Sequence, residues 1–175
     1  MKETKFVKLS KDPKETQKII NDAILAIDTS INAAFLLDLC KPLDSYTYLL
    51  VYEHSLGLAS TMPSIGVKVF QVSENANKAE AQINEHMAML RNRGDLNFIS
   101  INQLDPLTYV ILYEYRSGLF PYIKIFPFIR DPLSAKACLD KELQELDDDE
   151  QFGLQPYDMF MINSENMLVL YGDEV

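Results

Sequence analysis

The sequence predicts an α+β protein with mostly antiparallel sheet and helices packed on that sheet. Three observations carry this. Three stretches place apolar residues at i, i+4 and i+7, the spacing of an amphipathic helix resting on a sheet. A strand-like run precedes each stretch. Two further runs follow it, with turn chemistry between them. The pattern is β-α-β-β three times, at 3–55, 66–116 and 122–174, within a single compact domain spanning 1–175.

The helices come first. Residues 13–27 put Ile20, Ile24 and Ile27 on one face; 77–91 put Ile83, Met87 and Leu90 there; 132–146 put Leu139, Leu143 and Leu146 there. A polar residue follows the first anchor each time: Asn21, Asn84, Asp140. Asp12-Pro13 and Asp131-Pro132 each offer a capping carboxylate and a proline at the first helical position. Glu15, three residues after Asp12, fits a capping box. Ser73, Asn75 and Asn77 are cap candidates for the second helix.

The strands that lead into the helices are Phe6–Leu9, Val67–Val72 and Tyr122–Phe126. The pairs that follow are Ala33–Leu39 with Thr47–Tyr52, Asn97–Ile101 with Thr108–Tyr113, and Asp158–Ile162 with Met167–Tyr171. Turns are expected at Lys41–Ser45, Gln103–Pro106 and Asn163–Asn166. The last run of each unit is close to continuously apolar, which predicts a central strand or one buried on both faces. The nearest local match is Leu43-Asp44-x-x-Thr47-Tyr48-x-x-x-Tyr52-Glu53 against Leu104-Asp105-x-x-Thr108-Tyr109-x-x-x-Tyr113-Glu114. A lone unit cannot cover its own apolar strands, so the units are expected to share a core as an internal repeat.

The first unit resembles a known family. Val7-x-Leu9-Ser10-x-Asp12-Pro13-x-Glu15, then Ile20, Ala23-Ile24, Ile31-Asn32-Ala33-Ala34-Phe35-Leu36-Leu37 and the Leu49-Leu50-Val51 strand are similar to the C-terminal domain of the enhanced serine sensitivity proteins. The resemblance covers residues 7–53. It implies an accessory protein rather than a reaction, and it brings no catalytic residues with it. The third unit has no counterpart in that domain.

Composition excludes several classes. The net charge is −10 over 175 residues. Such a chain repels phosphates, so no nucleic-acid partner is expected, and partners with basic patches are favoured. No apolar run has the length of a membrane span, and the start, Met1-Lys2-Glu3-Thr4-Lys5, lacks a secretory pattern. A cytoplasmic protein is expected. Cys40 and Cys138 are too few for a disulfide framework and read as two buried thiols. The acids from Asp140 to Glu150 read as a solvated helix face running into a loop, without the spacing of a calcium site.

No catalytic residue, cofactor or metal site emerges. His54 and His86 have no partner ligand at metal-binding spacing. The six glycines are scattered, and no phosphate loop or nucleophile elbow exists. One segment stands out, Tyr115–Arg130, which is rich in aromatics and holds no acid. As an extended strand it would turn Phe120, Tyr122, Lys124, Phe126, Phe128 and Arg130 one way. Its two prolines suggest an edge strand or a bulge. A core strand with buried aromatics is one reading; an aromatic-basic edge that docks a partner is the other.

The leading expectation is a non-catalytic interaction or adaptor protein, binding a protein partner or a second copy. One alternative is a small-molecule sensor or enzyme with a pocket between units. Another is an acidic phage or host-defence factor that binds a basic protein through Asp147, Asp148 and Asp149.

Overall fold

Among the described residues the strands form three antiparallel sheets, with one helix following the leading strand of each in sequence, and the fold is α+β. The structure, a computed structural model, describes residues 1–31, 33–54, 63–128, 130–147 and 155–172. The first unit contains β1 (Lys2–Lys8), α1 (Pro13–Ser30), β2 (Ala33–Phe35), β3 (Lys41–Asp44) and β4 (Thr47–His54). The second contains β5 (Ile65–Gln71), α2 (Ala76–Arg91), β6 (Asn97–Asp105) and β7 (Thr108–Glu114). The third contains β8 (Tyr122–Pro127), α3 (Pro132–Asp147), β9 (Gln155–Met161) and β10 (Asn166–Gly172).

The apolar last strands are central, as expected. β4 lies between β1 and β2, with β3 also paired to it; β7 lies between β5 and β6; β10 lies between β8 and β9. Burial on both faces explains why β7 and β10 lack the alternation of a half-exposed strand: Tyr109 to Tyr113 and Met167 to Tyr171 are all buried.

The helix starts follow the capping chemistry. The Glu15 amide donates to Asp12 Oδ1 at 2.8 Å, the Lys78 amide to Asn75 Oδ1 at 3.1 Å, and the Ser134 amide to Asp131 Oδ2 at 2.9 Å. These bonds satisfy amides that have no partner inside their helix. The Ser134 amide and hydroxyl also hold the Asp131 carboxyl below its ordinary range.

Two local expectations need correction. The run Ala33–Leu39 is not one strand. It breaks after Phe35 into a 3-10 turn, Leu37–Leu39, closed by the Cys40 amide on Leu37 O at 3.2 Å. The chain then rejoins β4 as β3, so both pieces pair with one partner. The hairpin turns are also tighter than expected. Asp44 and Asp105 belong to strands, and each carboxylate folds back onto the turn, on the Tyr46 amide and on the Leu107 and Thr108 amides.

The chain divides into two compact bodies that do not follow the β-α-β-β boundaries. The first body is Met1–Gln71 with Gly94–Gly118; the second is Val72–Arg93 with Leu119–Val175. In the first, one core joins α1 (Ile20, Ile24, Ile27), β4 (Tyr48, Leu50, Tyr52) and the β5–β7 pair (Val67, Val69, Val110, Leu112). In the second, Phe126, Met167, Val169 and Tyr171 form a core cluster, and Leu139 of α3 packs against it.

Candidate interaction surface

The aromatic segment divides between buried and exposed side chains. Phe120 and Phe126 are buried, Lys124 and Phe128 are half-buried, and only Tyr122 and Arg130 are exposed. β8 is an edge strand, but α2 of the same body occupies its outer edge. Asn84 donates to Ile123 O at 2.7 Å and accepts from the Ile123 amide at 2.9 Å. Glu80, one turn earlier, accepts from the Ile125 amide at 2.7 Å. Arg91 donates to Phe120 O and Pro121 O, both at 3.1 Å, and its guanidinium lies 4.2 Å from the Tyr122 ring centre. The acid that meets this segment, Glu80, comes from α2.

The same device appears in the first body. Asn21 of α1 donates to Val67 O at 3.1 Å and accepts from the Val67 amide at 2.9 Å. Gln17, one turn earlier, accepts from the Val69 amide at 3.0 Å. The physical logic is plain. An edge strand presents unpaired backbone groups, and covering them with apolar surface alone would strand them. A carboxamide matches both a donor and an acceptor, so one asparagine satisfies both groups of one strand residue. Apolar neighbours on the helix then cover the strand side chains: Val67 and Val69 are buried, as are Ile123 and Ile125.

β1 is the edge strand of the remaining sheet, and it is differently dressed. Thr47-Tyr48 and Thr108-Tyr109 start β4 and β7, which sets the correspondence between sheets. Thr4 lies opposite Val51 as Val67 lies opposite Leu112; Phe6 lies opposite Leu49 as Val69 lies opposite Val110. Thr4 and Phe6 therefore stand where Val67 and Val69 stand. Yet Thr4 is exposed and Phe6 is 64% exposed, against 0% and 4% for the two valines. Leu43 is 48% exposed, whereas its motif counterpart Leu104 is 8% exposed. Lys2 and Lys8 share the face of Thr4 and Phe6 by strand alternation. This face of β1 is an apolar centre flanked by lysines. Covering Phe6 alone would contribute roughly 1–2 kcal/mol.

A concavity of about 290 Å³ lies where the two matching hairpin turns meet in the first body. Ser10, Thr16, Ser45, Asp105 and Thr108 are among its walls. Its polar groups are engaged with the fold: Thr16 donates to Ser10 O, Ser45 to Leu104 O at 3.1 Å, and Asp105 accepts two turn amides. At that volume it is small for a ligand pocket.

Several other chemistry-bearing residues make contacts within the fold. His54 lies 2.8 Å from Glu3 across β1 and β4, and this bond, with one from Tyr52, holds the Glu3 carboxyl below its ordinary range. Burial pushes the Tyr109 hydroxyl up to about 12 and raises that of Tyr48, which donates to Cys40 O. Cys40 is buried, but Cys138 is only half-buried, because α3 lays it beside Pro127 O at a helix margin. No group of three or more potential metal ligands occurs among the described residues. Asp140 and Glu145 are exposed and paired at i, i+4 with Lys136 and Lys141. Asp148 and Asp149 lie outside the described residues, and nothing is described of the Asp147 side chain. No helix among the described residues is long and apolar enough to cross a membrane.

The sequence pattern of a polar residue after the first anchor did mark Asn21 and Asn84, but without their role. The exposed face of β1 was not anticipated; its signal was the Thr4/Phe6 alternation in a strand whose counterparts carry valines and isoleucines. No known family, no curated protein and no solved structure matches the chain.

Proposed function

We propose that this chain is a non-catalytic interaction protein that receives an amphipathic helix on the exposed face of β1. The observation that carries the reading is the contrast between Phe6, 64% exposed, and Val69, 4% exposed, at equivalent sheet positions. The chain itself supplies the chemistry of the expected helix. It carries an acceptor such as Gln or Glu and, four residues on, a carboxamide or carboxylate, with apolar residues beside them, as in Glu80/Asn84 and Gln17/Asn21. Lysines beside the face favour an acidic helix. The accessory role implied by the likeness of residues 7–53 to the enhanced serine sensitivity proteins agrees with this. Free thiols at Cys40 and Cys138 suit the reducing cytoplasm, where we place the protein.

The test is a peptide of the α2 sequence, Ala76–Arg91, locked as a helix by a staple on its solvent side and labelled for fluorescence anisotropy. Saturable binding to the full chain is expected, weakened about tenfold by Phe6→Lys, since losing buried area of that order shifts the free energy by more than 1 kcal/mol. Equal binding by both proteins, or none, overturns the reading.

A further inference from the structure

We infer that the helix received by β1 is α3 of a second copy, so that copies associate head to tail; this rests on the docking reading above. Aligning the three helices on their caps (Asp12, Asn75, Asp131) places Gln17, Glu80 and Lys136 at one position and Asn21, Asn84 and Asp140 at the next. In α1 and α2 these two positions hold the edge strand of another sheet. In α3 they face solvent and pair with each other instead of with a strand: the side chains of Lys136 and Asp140 are 72% and 58% exposed. Among the described residues, α3 is thus the one helix of the three whose strand-holding positions face solvent, and β1 is the one leading strand whose receiving face is exposed.

The surroundings complement each other. β1 carries three lysines against one glutamate, a net +2; α3 carries four acids against two lysines, a net −2. The apolar content matches too. Leu133, one turn before Lys136 on the same helical face, is 81% exposed, and Met159 and Met161 of β9 in the same body are 44% and 43% exposed. Methionine adapts to an imperfectly shaped partner. Phe6 and Leu43 would be covered by this surface, as their counterparts Val69 and Leu104 are covered within the chain. Asp140 accepts one strand amide, as Glu80 does from Ile125, but it cannot donate to a carbonyl as Asn21 and Asn84 do. The association is therefore weaker than the internal contacts and depends on concentration. Fully overlapped antiparallel pairing of two β1 strands, centred on Lys5, is disfavoured because it sets Lys2 against Lys8 and Lys5 against Lys5.

A head-to-tail contact joins two different surfaces, so each can be removed separately. Sedimentation velocity of the full chain over a hundredfold range of concentration reads the outcome. Wild type is expected to grow beyond a monomer with concentration. Phe6→Asp and Leu133→Asp, each blocking one surface, are each expected to weaken association at least tenfold. Their equimolar mixture keeps one intact surface of each kind and is expected to stop at a heterodimer. A wild type that stays monomeric throughout overturns the inference. So do single variants that associate like wild type, or a mixture no larger than its components, which would mark a symmetric contact. Should the stapled α2 helix still bind wild type and not Phe6→Lys in any of those cases, the docking reading stands and only the second copy is lost as its occupant.

Discussion

Asp28 shows how one buried charge is tolerated. It sits in the last turn of α1, 3% exposed, and accepts from the Ser64 amide at 2.8 Å and from the Ser64 hydroxyl. Burial raises its carboxyl above the ordinary range, against the lowering effect of those bonds. The native state therefore holds this proton to higher pH than the unfolded chain does. Stability from this residue falls as pH rises from the unfolded value towards the raised folded one, and is constant above it. Asparagine keeps an acceptor for the Ser64 amide and does not titrate. Asp28→Asn is expected to gain stability relative to wild type on going from about pH 3 to about pH 7. Urea melts at both pH values decide it: a difference independent of pH would show that the site is not strained by its charge.

At the scale of elements, the recurrent device is a helix that satisfies the edge of a neighbouring sheet. Removing Asn21 leaves the Val67 amide and carbonyl unpaired in a residue that is 0% exposed. The cost of such orphaned groups is about 1–3 kcal/mol each when no water replaces the partner. Asn21→Ala and Asn84→Ala should each lose about 2–4 kcal/mol of unfolding free energy. Asp140→Ala, at the same helical position but exposed, should stay within about 0.5 kcal/mol for the monomer. Denaturant midpoints of the three variants test this together. Equal losses at all three would mean that the position matters through helix propensity rather than through the strand it holds.

For the whole molecule, the chain path matters more than the count of units. Each body is built from two separate stretches, so the chain passes between bodies at residues 71–72, 93–94 and 118–119. A cut after residue 118 separates β8 from the helix that satisfies its edge. The fragment 119–175 keeps α3 and its sheet but loses Asn84, Glu80 and Arg91, leaving the backbone of Ile123 and Ile125 without those partners. It is also of a size at which a core alone is marginal. Expressed alone, it is expected to show no cooperative thermal transition by circular dichroism, and adding the fragment 1–118 should restore one. A cooperative transition in 119–175 by itself would show that α2 is dispensable to the second body.

What the sequence determined by itself was local: three amphipathic helices, their caps, and the central apolar strands, because periodicity and capping depend on neighbours a few residues away. Ile20 and Ile83 are fully buried and Leu139 packs on its cluster, as their spacing implied. The tertiary structure alone decided what the polar residues beside those anchors do, and which strand faces are covered. Asn21 and Val67 are 46 residues apart, and Asn84 and Ile123 are 39 apart. Nothing within a short window says that they meet. The same limit explains the aromatic segment. Composition marked Phe120 to Arg130 as unusual, but whether an aromatic face meets solvent or a helix depends on what packs against it. Here α2 holds its strand edge, and the uncovered apolar face lies instead on β1, around Phe6.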